Sequence, residues 1–580
     1  MMPYMPVYWI NNRRFSNRLS IMALLLSLFI STPIFSEAND TVITNRAQQI
    51  LQNRGEVIVQ FTQPSFISID SLTQLVSIDS YKNNIVRAYI SKKQLVQFLK
   101  LGIDFIIIEP SQKPITLKST QSNIWNWDQY PTNAEYIAIM DSFAKAYPKL
   151  CKIMNIGNSV NSRKILFVRI NSDTTIAKPS VMYSSTIHGD ETTGFVLMLR
   201  LTEYLLKNYK NDSLVSHLID SLDIWINPLA NPDGTYFNGS DIWSATRNNA
   251  NGADLNRNFP DPVTGSHPDG MAYQPETNAM MSLMQQKHFV LSANFHGGSE
   301  VVNYPWDSKA NNHPDANWFK NISKEYADSA QNFGRSEYFT DVSNKGFTDG
   351  YAWYTVYGGR QDYITNFRQG REVTIELDET KTTPEVQLNN LWNYNYRSLL
   401  HYLEQGMYGI HGLVNDSLGN PVYAKILILS HDDASSFIYS DSISGAFYRL
   451  INEGNYSLQF SADGYKTKTI ENVVVANKQT TYLNIQLDKG QDKDNLIEST
   501  SYSNFNVYPN PCSRNFYINC KNNSNSINIE IFDVYGRCIQ KSYFKNLLNP
   551  IEIKSLPKGL FLIKLSSDNS KPLIIKEVVE

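Results

Sequence analysis

Short apolar runs alternate with helix-patterned segments between residues 125 and 407, and this alternation restricts the fold more than any other feature of the chain. The apolar runs have the length and composition of buried strands: ILFVRI, PSVMYSSTI, DIWINPLA, FVLSANF and EVTIELDE. The segments between them, such as GFVLMLRLTEYLLKNY, carry apolar residues at helical spacing. Strands that are apolar on both faces require helices on both sides of their sheet. The sequence therefore predicts an α/β domain over residues 123–407, with a mixed, mostly parallel sheet flanked by helices.

Smaller units flank this predicted domain, because 580 residues far exceed the roughly 150 residues typical of one domain. Over residues 41–122, strand-like runs alternate with the helical SKKQLVQFLKLG, which predicts a small α+β N-terminal module. Residues 408–488 and 504–580 consist of short alternating strands broken by Gly, Asn and Asp, which predicts two all-β sandwich domains. A polar linker is expected between them, over residues 489–503.

The first residues of the chain have the pattern of a secretory signal peptide. Arg13, Arg14 and Arg18 precede the apolar run IMALLLSLFI, and small residues suited to cleavage follow it. The apolar run is much shorter than the roughly 20 residues that span a bilayer, which disfavours the alternative of a membrane anchor. We therefore expect a cleaved signal peptide over residues 1–38, export, and no transmembrane segment after its removal.

The overall charge disfavours two classes of partner. The chain carries a formal net charge of -3 and has a pI near 6.3. Nucleic acids and anionic membranes attract proteins with an excess of positive charge. A hydrophobic content of 42% with 18% charged residues is typical of folded globular domains. We therefore expect a folded protein that binds no nucleic acid.

Four acidic and basic side chains fall at strand ends of the predicted α/β domain. His188 and Glu191 follow the run PSVMYSSTI, His296 follows FVLSANF, and Glu376 lies within EVTIELDE. Catalytic zinc commonly takes three ligands from His, Asp and Glu, and open α/β sheets bind ligands at the carboxyl ends of strands. Taken singly, each of these residues is more often structural than functional. Together they predict a zinc site with a nearby carboxylate as general base.

The same domain resembles the zinc metallocarboxypeptidases of the funnelin type, which include the carboxypeptidase A/B-like enzymes. Five motifs carry the resemblance in sequence order: HGDE, TRNNANGADLNRNFPD, NFHGG, WYTVYGGRQDY and TIELDE. The resemblance implies a hydrolase that cuts the C-terminal peptide bond of peptides or proteins. It also implies one Zn²⁺ per catalytic domain, held by His188, Glu191 and His296.

Three further residues receive roles from this resemblance. Asp254 would orient His188 and raise its basicity from outside the ligand set. Glu376 would take a proton from the attacking water and later deliver it to the leaving amine. Arg247 would stabilise the developing oxyanion, an effect worth about a hundred- to thousandfold in rate. The alternative for Asp254 is an ordinary turn residue within NGADLN.

The resemblance also implies a group of residues that binds the terminal carboxylate of the substrate. This group comprises Asn256, Arg257 and Tyr354, and the guanidinium offers the two-pronged donor geometry that suits a carboxylate. An internal peptide bond presents no carboxylate, so this group would make the enzyme an exopeptidase. The alternative for Tyr354 is a core aromatic residue.

Two residues at the expected floor of the side-chain pocket indicate the substrate class. Asp307 in NYPWD and Gln361 in GGRQD are similar to the residues at these places in the regulatory, carboxypeptidase N/E/D-like subfamily, which removes C-terminal Lys and Arg. A buried carboxylate would pair with a cationic side chain and disfavour an apolar one. The alternative is that Asp307 only caps a turn.

The flanking segments carry resemblances of their own. GIHGLVNDSLGNPVYAKILIL resembles the transthyretin-like β-sandwich that follows the regulatory enzymes. Those enzymes generally lack a folded pro-region, whereas residues 41–122 resemble the inhibitory prosegments of the digestive enzymes in their pattern of elements only. The module is therefore a candidate prosegment, and whether it fills the cleft stays open at this point.

The C-terminal block is similar to the sorting domains of type IX secretion, through VYPNP, IFDVYGR, LPKGLFLIKL and the closing KEVVE. The resemblance implies recognition by the type IX secretion machinery and passage to the cell surface or the medium. The alternative is another adhesive β-sandwich.

The sequence thus predicts a secreted zinc metallocarboxypeptidase that releases one C-terminal residue, Lys or Arg, from peptides or proteins. One alternative keeps the same zinc chemistry but directs it at apolar C-termini or cell-wall peptides. An alternative of another class is a non-catalytic surface binding protein.

Overall fold

A computed structural model describes residues 34–109, 126–265, 269–433 and 436–490, together with strands and short connections between residues 505 and 579. The chain divides into two compact units, residues 1–489 and residues 490–580. Residues 1–33 of the expected signal peptide and residues 491–503 of the expected linker lie outside the described residues. Among the residues that are described, no helix combines the length and the apolar character needed to cross a membrane.

The N-terminal part of the first unit is a four-stranded antiparallel sheet with three helices. The strands follow the order β2-β3-β1-β4, so β2 lies at one edge of the sheet. One face of the sheet packs with the first helix in a core that includes Ala47, Leu51, Val57 and Val59. The elements are α1 (Ile34–Arg54), β1 (Glu56–Thr62), α2 (Ile69–Thr73), β2 (Ser77–Lys82), β3 (Ile85–Ser91), α3 (Lys92–Leu99) and β4 (Ile106–Ile108).

An eight-stranded sheet follows, in the order β11-β10-β12-β9-β7-β8-β6-β5, and four of its seven strand pairs are parallel. The predicted α/β fold class, with a mixed, mostly parallel sheet between helices, is confirmed. The elements are α4 (Asn133–Ala146), β5 (Cys151–Asn158), β6 (Lys164–Ile170), β7 (Ser180–Ser185), α5 (Thr193–Asn208), α6 (Ser213–Ser221), β8 (Asp223–Asn227), α7 (Pro232–Thr235), α8 (Pro275–Gln286), β9 (Phe289–His296), β10 (Ser299–Tyr304), α9 (Ala316–Phe333), β11 (Phe347–Asp349), α10 (Gly350–Trp353), α11 (Arg360–Phe367), β12 (Arg371–Asp378) and α12 (Leu388–Glu404).

Alternating side chains of the central strands enter two different apolar cores. In β7, Val181 and Tyr183 belong to the core beneath α5, whereas Met182 belongs to the core on the opposite face. Every residue of β7 and β9 is buried. Burial on both faces accounts for the consecutive apolar residues VMY in β7 and FVL in β9, which a strand with one face in water would interrupt with polar residues.

The strand register brings the predicted site residues together at the carboxyl ends of three central strands. β7, β9 and β12 are neighbours and run parallel, so their carboxyl ends meet. Glu376 in β12 lies directly opposite His296, the last residue of β9. The loop after β7 carries His188 and Glu191 and leads into α5, which begins at Thr193.

Two further sheets of three and four strands form the β-sandwich that follows α12. A buried ion cluster joins this sandwich to the α/β region: the Asp315 carboxylate contacts Arg449 of the sandwich at 2.9 Å and Arg371, the first residue of β12, at 2.6 Å. The strands are β13 (Gly409–Asp416), β14 (Lys425–Ile428), β15 (Ile438–Tyr439), β16 (Ala446–Arg449), β17 (Gly454–Ser461), β18 (Lys468–Val475) and β19 (Thr480–Leu487).

The second unit is again all-β, with one sheet in the order β20-β21-β24 and another in the order β23-β22-β25-β26. Its core is built of alternating residues of β22 and β25, including Ile527, Ile529, Ile531 and Ile563. The strands are β20 (Phe505–Tyr508), β21 (Phe516–Cys520), β22 (Ser526–Asp533), β23 (Cys538–Lys545), β24 (Ile551–Ile553), β25 (Gly559–Ser566) and β26 (Leu573–Val579).

Candidate active site

His188, Glu191 and His296 converge at the carboxyl ends of β7 and β9. The Nδ1 atoms of the two histidines are 3.1 Å apart. One carboxylate oxygen of Glu191 lies 3.0 Å from Nδ1 of His188 and 2.7 Å from Nδ1 of His296. All three side chains are buried. The three residues predicted as metal ligands are therefore brought together with their donor atoms facing one point.

The backbone around His188 is fixed by close packing. The Thr186 residue has a φ of 61°, a left-handed conformation that turns the chain away from β7. A Cβ atom on Gly189 would lie 2.3 Å from the backbone of Gly234, so only glycine fits against that turn. The glycine that follows His188 in the motif HGDE is therefore needed because the backbone of Gly234 lies close to it.

This cluster fits a zinc ion by its donor set and its spacing. Tetrahedral ligands about 2.0 to 2.1 Å from Zn²⁺ lie about 3.3 Å from one another, slightly wider than the spacing of these three atoms. Burial lowers the pKa of His296 to about 4, so the ring is neutral and able to bind a metal at physiological pH. Burial alone would raise the pKa of Glu191, but His188, Lys381 and His296 outweigh it and hold that pKa well below its usual range.

The outer nitrogens of both rings have partners suited to a metal-bound histidine. Nε2 of His188 lies 3.1 Å from Oδ1 of Asp254. Nε2 of His296 lies 2.8 Å from the amide of Asn294, whose oxygen is buried and has no partner. A His296 that binds metal through Nδ1 carries a proton on Nε2, and turning the Asn294 amide pairs that proton with the orphaned oxygen.

Glu376 faces this cluster from the neighbouring strand. It lines the same cavity as His188, Glu191 and His296. Burial raises the pKa of Glu376 well above its usual range, and the negative charge of Glu191 raises it further. A half-buried carboxylate with a raised pKa, beside a metal site, has the properties of a general base or acid.

Arg247 contacts both the ligand cluster and Asp254. Its guanidinium lies 3.2 Å from Glu191 and 3.0 Å from Asp254, and it is buried. Arg247 and Asp254 therefore form one hydrogen-bonded group with His188. The alternative of a simple turn role for Asp254 does not account for these buried contacts, although its side chain also accepts the N–H of Asn256 at 2.8 Å.

The three residues predicted to bind a carboxylate line the same cavity. Arg257 donates to the carbonyl of Asn256 at 3.0 Å, and its Nε is buried without a partner. The side-chain oxygen of Asn256 accepts the N–H of Arg360 at 2.9 Å. Tyr354 also packs against the core of the N-terminal module, so the cavity contact and the core contact predicted as alternatives are both present.

The predicted pocket residues Asp307 and Gln361 lie next to each other. One oxygen of Asp307 accepts from Gln361 at 2.9 Å and from Asn303 at 2.9 Å. Burial raises the pKa of Asp307 well above its usual range, with a further contribution from Asp362. The oxygens of Asn303 and Gln361 are buried and have no partner. The cluster therefore presents acceptor atoms only partly satisfied by the protein.

Three features of this region were not predicted from the sequence. Asn303 had a signal, since it is a polar residue within the apolar strand run EVVNY. Lys381, whose ammonium lies 2.7 Å from Glu191, sits in a polar loop whose sequence gives no sign of it. Strand β2 of the N-terminal module contributes Asp79 to the lining of the cavity.

Three regions of the chain match known protein families. The zinc carboxypeptidase family matches residues 136–398, and the carboxypeptidase regulatory-like domain matches residues 409–488. The secretion system C-terminal sorting domain matches residues 506–579, which indicates export to the cell surface or the medium.

Individual relatives point to the same family. Carboxypeptidase M of Mus musculus is 33% identical over 344 residues, which cover 57% of this chain and 77% of that protein. The carboxypeptidase N catalytic chain of Homo sapiens is 31% identical over 385 residues, covering 59% of this chain and 82% of that protein. Carboxypeptidase D of Drosophila melanogaster is 34% identical over 404 residues, but the chain spans only 28% of that longer protein. The chain belongs to the zinc carboxypeptidase family.

Proposed function

We propose that this protein is a secreted, zinc-dependent carboxypeptidase that releases C-terminal Arg or Lys from peptides or proteins. The observation that carries the proposal is the juxtaposition of the cluster of His188, Glu191 and His296 with Glu376, in a cavity that also reaches Asp307. Substrate arginine or lysine would satisfy the buried acceptors around Asp307.

The three-residue cluster would hold the zinc ion. When bound, Zn²⁺ polarises both a water molecule and the carbonyl of the scissile bond. Asp254 and Asn294 would hold the two histidine rings in the required orientation through their outer nitrogens. Glu376 would not bind the metal and would therefore be available for proton transfer.

The chain's own residues would then perform the hydrolysis. Arg257, Asn256 and Tyr354 would hold the terminal carboxylate and so place the last peptide bond beside Glu376. Glu376 would accept the proton of the attacking water and pass it to the nitrogen of the leaving residue, while the C–N bond breaks. Arg247 would stabilise the negative charge that develops on the carbonyl oxygen.

The residues around Asp307 would select the side chain that is released. A cation entering this site restores the ionised state of Asp307, which burial disfavours in the empty pocket. An apolar side chain would leave the carboxylate and the oxygens of Asn303 and Gln361 without partners. We therefore propose a strong preference for Arg and Lys over Phe.

The proposed site of action is outside the cell. A signal peptide over residues 1–38 and the sorting domain would direct the chain through the type IX secretion machinery to the cell surface or the medium. Its partners would be the C-termini of extracellular peptides and proteins.

Release of the last residue from matched hippuryl peptides ending in Arg, Lys and Phe tests this proposal. The assay uses the full chain and its Asp79→Lys variant, because the Asp79 carboxylate lies in the cavity, 2.6 Å from the ammonium of Lys381, and the substitution removes this contact. In the more active of these two chains, we expect kcat/KM to be at least about 100-fold higher for Arg and Lys than for Phe. Faster release of Phe would favour an enzyme for apolar C-termini, and peptide binding without hydrolysis would favour a binding protein.

A further inference from the structure

The first turn of α11 contacts both parts of the proposed substrate site. The backbone N–H of Arg360 donates to the side-chain oxygen of Asn256 at 2.9 Å. The side-chain amide of Gln361 donates to Asp307 at 2.9 Å, and Asp362 accepts the backbone N–H of Asp307 at 3.1 Å. Three consecutive residues thus hold one residue proposed to bind the terminal carboxylate and the residue proposed to select the side chain.

A buried ion pair ties this turn to the central sheet. Nε and Nη2 of Arg360 lie 3.0 Å and 3.3 Å from the two carboxylate oxygens of Glu372 in β12. Both side chains are completely buried. Glu372 also accepts from the hydroxyl of Ser292 in β9 at 2.7 Å. The pair thus connects α11 to β9 and β12, the two strands that carry His296 and Glu376.

Apolar packing alone would not fix the orientation of this turn. Tyr363 and Ile364 of α11 belong to the apolar core on one face of the sheet, which also includes Phe259. Such packing is non-directional, so it limits how far α11 can lie from the sheet but restricts its tilt and rotation less. A two-pronged pair of guanidinium and carboxylate fixes distance and angle together. The pair of Arg360 with Glu372 therefore supplies a directional restraint at the start of α11.

Stability alone does not account for a charged pair at this place. Nη1 of Arg360 is buried and has no hydrogen-bond partner in the part of the chain that the structure describes. A buried donor without a partner costs free energy, and a buried ion pair is often no more stabilising than apolar side chains of similar volume. A fixed direction of approach is what the pair provides and apolar residues would not.

We propose that Arg360 is a positioning residue for substrate binding. Its ion pair with Glu372 sets the first turn of α11, and this turn places Asn256 and Gln361. The inference rests on the proposed function, because it concerns the binding of the same substrate. The side-chain hydrogen bonds of Arg360 reach Glu372 and Ala293, so Arg360 acts through α11 rather than on the substrate. Loss of the pair weakens the hold on the carboxylate and on the side chain of the substrate's last residue, while the general base and the ligand cluster stay in place.

Replacement of Arg360 by methionine tests the inference in the full chain. Arg360→Met removes the ion pair and keeps most of the side-chain volume. The matched control is Arg371→Met, because Arg371 is also buried and pairs with a buried carboxylate, Asp315, that lies outside α11. A double variant, Arg360→Met with Glu372→Gln, removes the unpaired charge that the single variant leaves behind. Tm is measured for each variant in the Asp79→Lys background, and kcat and KM for hippuryl-Arg and hippuryl-Phe are measured well below that Tm.

We expect KM for hippuryl-Arg to rise at least about tenfold in Arg360→Met, with a smaller change in kcat, and the ratio of kcat/KM for Arg over Phe to fall at least about fivefold. The double variant should recover most of the lost Tm but not the KM of the parent chain. Arg371→Met should lower Tm and leave KM and the ratio within about twofold of the parent chain.

An unchanged KM and an unchanged ratio in both Arg360 variants would overturn the inference and leave the proposed function standing. Recovery of KM together with Tm in the double variant would also overturn it, as would an equal rise of KM in Arg371→Met, because the effect would then follow general stability. A parent chain without a preference for Arg would contradict the proposed function, and the inference with it.

Discussion

Replacement of Glu376 by glutamine is expected to lower kcat for release of C-terminal arginine by about 10³-fold, with little change in KM. Glutamine has the shape of glutamate but cannot accept a proton at neutral pH, and proton transfer by a positioned group contributes about 10² to 10⁴ in rate. The measurement compares Glu376→Gln with its parent in the Asp79→Lys background, which lacks the contact of Asp79 with Lys381 in the cavity.

The zinc content of the Glu376→Gln variant supplies the control for this result. Glu376 lies beside the cluster of His188, Glu191 and His296 but is not part of it, so the variant should bind as much zinc as its parent. A loss of activity with full zinc content would assign the effect to proton transfer. Retention of most of the activity would contradict the role proposed for Glu376.

Replacement of Asp307 by alanine is expected to lower kcat/KM for hippuryl-Arg by about 10²- to 10³-fold. Removal of one partner from a buried ion pair costs about 3 to 5 kcal/mol, and each 1.4 kcal/mol corresponds to a factor of ten. Release of Phe should be unchanged or faster, because the apolar side chain no longer meets an unpaired carboxylate. The measurement is the ratio of kcat/KM for hippuryl-Arg to kcat/KM for hippuryl-Phe in the same variant.

The matched variant Asp307→Asn separates charge from shape. It keeps an oxygen that can accept from Asn303 and Gln361, which both contact Asp307 at 2.9 Å in the native chain. A large loss of arginine release in this variant would assign the preference to the negative charge. An undiminished preference for Arg in both variants would contradict the proposed role of the pocket.

The central fold was predictable because its strands are buried on both faces. Every residue of β7 and β9 is buried, His296 ends β9, and His188 follows β7 in the loop that the sequence pattern singled out. The opposition of Glu376 and His296 follows from parallel pairing of β12 with β9, a register that short apolar runs alone do not specify. Their proximity was therefore inferred from the combination of residues and from the family resemblance.

The contacts between the N-terminal module and the cleft could not be predicted in the same way. Glu56, Ser77 and Asp79 lie in ordinary strand sequences, and nothing in their spacing identifies Arg247 or Lys381 as partners. Their pairing depends on how two separately folded parts of the chain meet, over sequence distances of more than 160 residues. Such long-range docking leaves no local periodic signal in a single sequence.

The polar residues around Asp307 were also only partly predictable from the sequence. The sequence pointed to Asp307 and Gln361, but the contribution of Asn303 emerged only from its contact with Asp307. A polar residue in an apolar strand signals that a partner is needed without saying which one. The structure supplies that partner and leaves two neighbouring oxygens for a ligand.

Metal analysis of the purified full chain tests the central claim most directly, because metal binding does not require a substrate to enter the cleft. We expect one zinc per chain in the native protein and in Glu376→Gln, and a loss of affinity large enough to leave His296→Ala without zinc after dialysis. Equal and complete zinc occupancy in His296→Ala, or a native chain that binds no zinc when the metal is supplied, would contradict the proposed site.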